Sequence, residues 1–114
     1  MDIERIQPGA WNSKAVVYNG VVYLSGITAD DKTLPMKAQT EPISAKIDGV
    51  LVAAGTNKSR ILSPTVYLAD MSKKDEMNEA WTAWMNPDNP PARAAVGTKL
   101  TPGRLVEIMV CATK

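Results

Sequence analysis

Apolar and polar positions alternate through "KAVVYNGVVYLSG", residues 14–26, in two runs rich in β-branched and aromatic side chains on either side of Asn19-Gly20. That dipeptide tolerates positive φ at both central positions of a type I′ turn, so the pattern predicts a β-hairpin. Upstream, "DIERI" supplies a short candidate edge strand. Downstream the period lengthens. Met36, Ile43, Ile47, Val50, Leu51 and Ala54 recur at helical spacing over about 34–54, and Gly55 stands where a C-terminal cap is expected. Pro42 falls inside this stretch and should either bend the helix or mark its true start, because it removes one backbone donor and crowds the preceding turn.

"RILSPTVYLAD", residues 60–70, returns to a strand pattern, with Pro64 pointing to a sheet edge or a bulge. Asp70 or Ser72 can cap a second helix that carries Met77, Ala80, Trp81, Trp84 and Met85 on one stripe, and Asn86-Pro87 stops it. "ARAAVGTKL" and "RLVEIMVCATK" then read as two strands joined by a turn at Thr101-Pro102-Gly103, a second hairpin. The order is ββαβαββ, with "DIERI" as an additional leading strand. It predicts an α+β sandwich, a mixed sheet with two helices packed on one face, in a single domain over residues 1–114. The other sheet face then has no cover of its own, and the cheapest partner is a second copy of the chain; a homo-oligomer is expected.

Charge and composition narrow the chemistry. Thirteen Lys and Arg stand against twelve Asp and Glu, leaving +1, and no block of like charge builds a footprint for nucleic acid or anionic lipid. The lone Cys111 excludes an internal disulfide, "MDIERIQPGAW" lacks the layout of a signal peptide, and no apolar run reaches the roughly 20 residues of a membrane span. A soluble, cytoplasmic protein is the expectation. There is no histidine, which removes Cys/His zinc sites and histidine general bases. Arginine, glutamate, backbone groups and water are left to do any chemistry.

Arg93 follows Pro90-Pro91 at the head of a strand, a stiff mounting from which a guanidinium can grip a carboxylate through two parallel hydrogen bonds. Its competing reading is a solvated strand-end charge. Glu107 sits between Val106 and Ile108 and shares a face with Leu105 and Met109. It is either an outward-facing acid or a buried one beside a cleft, where desolvation would raise its pKa toward the range useful for acting on water. Trp81 and Trp84 read as core filler, and Trp11 as either a cap on the core or the wall of a pocket. Gly26 either turns the chain or lets a ligand approach its backbone, and Cys111 reads as a small buried apolar residue.

Taken together, "VVYNGVVYLSG", "IDGVLVAAGTNKSRILSPTVYLADM", "MNEAWTAW", "PPARAAV" and "VEIMVCA" resemble, in order and over nearly the whole chain, the RidA family. This is the reactive intermediate/imine deaminase A group, also called YjgF-type. "GAWNSK", "GTNKSRIL" and "YLAD" look closest to its YoaB-type branch. The resemblance implies a chorismate-mutase-like fold assembled as a homotrimer with ligand clefts between subunits. It also implies hydrolysis of 2-imino acids and their 2-enamino tautomers to 2-oxo acids and ammonia, without metal or cofactor.

Carried over by position, the carboxylate-binding arginine is Arg93, the acid beside the reactive water is Glu107, the helix asparagine lining the cleft is Asn78, and the strand-end glycine is Gly26. The residue two after the arginine, often cysteine in the family, is Ala95, whose role would run through its backbone carbonyl. The aromatic that many members place before the first hairpin has no direct match: Asn12 stands there with Trp11 beside it, which leaves the substrate side chain open. Two rival readings use the same fold. One is a non-catalytic binder of small 2-oxo acids. The other is RNA cleavage, which the +1 charge and the missing histidine oppose.

Overall fold

The computed structural model describes residues 2–114. Strands β1 (Glu4–Pro8), β2 (Ser13–Tyr18) and β3 (Val21–Leu24) form an antiparallel meander. Between β2 and β3 the backbone takes φ of 52° at Asn19 and 77° at Gly20, the pair of positive values that a type I′ turn requires. Helix α1 (Met36–Ala53) starts well before Pro42, so the proline lies inside the helix and does not mark its start. The apolar stripe read from the sequence is buried along its length. Gly55, at φ 82°, donates to Val52 O while Thr56 N–H reaches Leu51 O, which closes the helix as a Schellman motif.

Strand β4 (Ile61–Leu68) leads through helix α2 (Lys74–Trp84) to β5 (Ala94–Gly97), and β6 (Val106–Thr113) ends the chain. The sheet order is β1-β2-β3-β6-β4-β5. Of the edge or bulge that Pro64 signalled, the irregularity is found and the edge is not, and one expectation, the closing hairpin, is corrected. Strand β4 is interior, not an edge; Pro64 is accommodated beside a register shift between Ile61 and Ser63, and β5 pairs only from Thr65 onward. The last two strands are not a hairpin. Arg104 N–H closes a turn onto Thr101 O with Gly103 at φ 84°, as Pro102-Gly103 suggests, but the chain leaving it joins β3 and β4 rather than β5.

The reason is helical crossover. A helix between β4 and β5 returns the chain in the same direction, and the pairing is parallel. Helix α1 does the same between β3 and β4, and leaves them one strand-width apart. Strand β6 fills that gap antiparallel to both, with Val106, Ile108, Val110 and Ala112 fully buried beneath the helices. Its alternate residues look the other way, with Tyr23 beside Cys111, Met109 beside Thr65, and Glu107 beside Tyr67. Tyr23, Met109 and Val96 keep 40–47% of their surface exposed, so this face is uncovered within the chain. Cys111 is half-buried on it and is not the core filler its strand position suggested.

Gln39 is fully buried and ties the start of α1 to the turn before β6. Its Nε2 donates to Leu34 O and Gly103 O, and its Oε1 accepts from Leu105 N–H. Replacing it by leucine keeps the volume and orphans these backbone groups. Gln39→Leu is expected to lower stability by about 3 kcal/mol, read from urea unfolding at unchanged m-value.

Candidate functional site

Two clusters carry chemistry, and they lie on different sides of the sheet. The first is built by a bulge. Tyr23 faces Cys111 and Ile27 faces Ile108, so three residues after Tyr23 span the length of two on β6. Leu24 and Ile27 are both buried, and Ser25 and Gly26 share the pleat position between them. This turns Gly26 against the Glu107 side chain. A Cβ on residue 26 would stand 2.2 Å from Glu107 Oε2 and 3.0 Å from its Cδ, a space only glycine leaves open. What approaches the Gly26 backbone is thus the chain's own carboxylate.

The second cluster sits at the β5 edge. Arg93 immediately precedes β5, with its guanidinium carbon 5.1 Å from the centre of the Trp81 ring and Nη1 at 3.7 Å from Met77 Sδ. Desolvation against this apolar surface lowers its pKa from the ordinary arginine value, which still leaves it a cation. Trp81 is core filler on one side and a platform for arginine on the other; Trp84 meets it edge-on at 5.4 Å and donates to Asp48. Asn78 is one turn before Trp81 on α2 and shares its face.

Backbone parity gives Ala95 its significance. Ala92 N–H donates to Leu62 O and Thr98 N–H to Leu68 O, so the even-numbered residues of this stretch turn their peptide groups toward β4. The N–H and C=O of Arg93 and Ala95 point the opposite way, off the open edge of the sheet.

Within one chain these clusters do not meet. Glu107 is on the uncovered face, and Arg93 is stacked on the helix layer beyond β4. Trp11 is 88% exposed, and in the single chain it neither caps the core nor closes a pocket. Asn12 and Gly26 both line a cavity of about 490 Å³ between the β2–β3 end of the sheet and α1.

That cavity holds a group of residues with no sequence signature. Lys46 donates to Thr28 O at 2.8 Å and to Asp30 at 2.7 Å, while Arg104 donates to Thr28 Oγ1 at 2.6 Å and to Ala29 O. The Lys46 hydrogen bond and charge hold the Asp30 carboxyl below its usual range, with smaller help from Arg104 and Lys14. These cations come from β2, α1 and the turn before β6, so only the tertiary fold could reveal them.

The family model described as Endoribonuclease L-PSP matches residues 3–114. A RutC family protein of Haemophilus ducreyi is 42% identical over 101 residues, covering 88% of this chain and 86% of its own. The RutC family protein YoaB of Escherichia coli is 37% identical over 113 residues, 98% of each chain. Among solved structures, a member of the YjgF protein family from Neisseria meningitidis superposes with a TM-score of 0.94 at 37% identity, over 100% of this chain and 96% of that one. RidA from an Antarctic Psychrobacter gives 0.85 at 32% identity, over 97% and 99%.

The Gly26 niche is testable without any assay of activity. Gly26→Ala must displace the Glu107 carboxylate, and in a Glu107→Ala background the same change meets no carboxylate. A double-mutant cycle by urea unfolding should return a coupling of about 1 kcal/mol between the two positions; strict additivity would show that the contact is not made.

Proposed function

We propose that this chain, which belongs to the Endoribonuclease L-PSP family together with the RutC and YjgF proteins it matches, hydrolyses 2-imino acids and their 2-enamino tautomers to 2-oxo acids and ammonia. The observation that carries this reading is the division of the site. A guanidinium and off-edge peptide groups sit at one border of the chain, and a carboxylate in a glycine niche sits near the uncovered face. Each is half of a site for a small carboxylic acid attacked by water, and an oligomer brings the halves together. In the closed trimer proposed here, Arg93, Asn78 and Ala95 of one copy meet Gly26, Glu107, Trp11 and Asn12 of the next.

In this cleft Arg93 clamps the substrate carboxylate, already oriented by the Trp81 ring. Glu107 and the Ala95 carbonyl hold one water, and Glu107 takes its proton as the oxygen adds to the imine carbon. Glu107 returns that proton to the nitrogen as the carbinolamine forms; it then carries the carbinolamine hydroxyl proton to the same nitrogen, the C–N bond breaks, and ammonia leaves as the carbonyl of the 2-oxo acid forms. The uncatalysed reaction is already fast, so positioning of substrate and water is most of what the protein must supply. Asn78 lines the clamp, and Trp11, exposed in the single chain, gains cover from the neighbouring copy. No histidine is needed. An RNA-cleaving reading draws no support from a chain with +1 net charge and no histidine.

The test is competition with semicarbazide for a 2-imino acid made in situ by an amino-acid oxidase. The protein should suppress the semicarbazone. Arg93→Ala should lower kcat/KM by about 100-fold, and Arg93→Lys, which keeps charge without the fork, by clearly less. Suppression by wild type and Arg93→Ala alike would remove the clamp; saturable 2-oxobutyrate binding without suppression would make the protein a binder instead.

Shared clefts make a second prediction. Arg93→Ala and Glu107→Gln, each strongly impaired alone, should regain activity when unfolded and reassembled together in equal amounts. About one cleft in four then combines an intact Arg93 with an intact Glu107. No recovery from reassembled oligomers would place both residues in one subunit's site.

A further inference from the structure

We propose that the cavity beside Gly26 receives a second acidic group of the substrate, so that the preferred substrates are 2-imino dicarboxylic acids. This deepens the imine-hydrolase reading and rests on it. Three observations carry it: position, charge surplus and rigidity.

The cavity is lined by Gly26, the residue against which the Glu107 carboxylate stands, so it borders the niche of that carboxylate at the β3 end of the sheet. At about 490 Å³ it is within the size range of small-molecule sites. Lys14, Lys46 and Arg104 line it together with a single acid, Asp30. Asp30 pairs with Lys46 while its side chain remains 91% exposed to water, so it neutralises at most one of the three cations. The surplus suits an anion.

Two of the cations are fixed in place before any ligand arrives. Lys46 is bonded to Thr28 O and Asp30, and Arg104 to Thr28 Oγ1 and Ala29 O. A strap holding residues 28–30 explains those bonds, but it uses only part of each head group. An ammonium has three donors and a guanidinium five, so both keep donors to spare. Nor does a strap explain Lys14, whose charge acts on the same carboxylate. Cations already immobilised lose little rotamer freedom on gripping a carboxylate.

The first experiment compares binding of 2-oxoglutarate, 2-oxobutyrate and inorganic phosphate to the full-length protein by calorimetry. 2-Oxoglutarate should bind at least tenfold tighter than 2-oxobutyrate, and Lys46→Gln/Arg104→Gln should abolish the difference. Because that pair also holds residues 28–30, Lys14→Gln is the control; the Lys14 side chain makes no hydrogen bond or ion pair among the described residues, and its loss should reduce the preference at unchanged Tm. Equal affinity for the two oxo acids overturns the proposal, as does phosphate binding as tightly as 2-oxoglutarate.

The semicarbazide assay supplies the second readout. The ratio of kcat/KM for 2-iminoglutarate over 2-iminopropanoate should exceed one and fall at least tenfold in Lys46→Gln/Arg104→Gln. Turnover of both imines without discrimination overturns the cavity assignment alone. Turnover of neither overturns the activity, and the calorimetric comparison still decides what the cavity holds.

Discussion

The insertion of β6 between β3 and β4 is the constraint on which the rest of the molecule depends. Two helical crossovers set β3, β4 and β5 in one direction, and β6 fills the gap between β3 and β4 antiparallel to both. β6 seals the core with Val106, Ile108, Val110 and Ala112, and by the same pleat it must present Glu107, Met109 and Cys111 on the opposite face. A carboxylate in the middle of the sheet is thus a consequence of closing the core. The buried Gln39 secures the approach to this strand, because it joins the lead into α1 with the turn from which β6 departs.

From β6 the constraint spreads to both clusters. The Ile27–Ile108 bridge, one residue out of step with the Tyr23–Cys111 pair, creates the bulge that aims Gly26 at Glu107. On the other side, β4 is satisfied by β6 and β5, which leaves β5 as the sheet's edge with half of its peptide groups facing outward. Arg93 and Ala95 are at that edge. The chain is therefore unfinished in two places at once, an apolar sheet face beside Glu107 and an unpaired strand edge beside Arg93.

The electrostatics fit this division. Arg93 faces an aromatic ring and a thioether rather than an acid, and its charge remains available. Lys46 and Arg104 are occupied by carbonyl and hydroxyl oxygens, and by one carboxylate among three cations. Positive charge held without full neutralisation thus recurs in two places, on the Trp81 ring and in the cavity beside Gly26. In a protein of +1 net charge, that arrangement comes from placement and not from excess.

Local signals in the sequence determined the elements. Asn19-Gly20 specified the first hairpin, because only residues that tolerate positive φ close a type I′ turn, and Gly55 specified the end of α1 for the same reason. Asn86-Pro87 stopped α2, and the ordered motifs were enough to point to the family. Pairing was another matter. The final two strands read as a hairpin because they are neighbours in sequence with a good turn between them, yet the helical crossovers and the gap between β3 and β4 put β6 inside and β5 outside, and of the edge or bulge that Pro64 signalled the irregularity is what formed. Arg93 and Glu107 were legible as chemical types at strand positions; that they point to different sides of the sheet was not. Lys14, Lys46 and Arg104 carried no pattern, since residues far apart in the chain become a cluster only when the sheet and α1 close over one cavity. Periodicity and turn chemistry act over a few residues, while the site is made of contacts that only the folded chain can form.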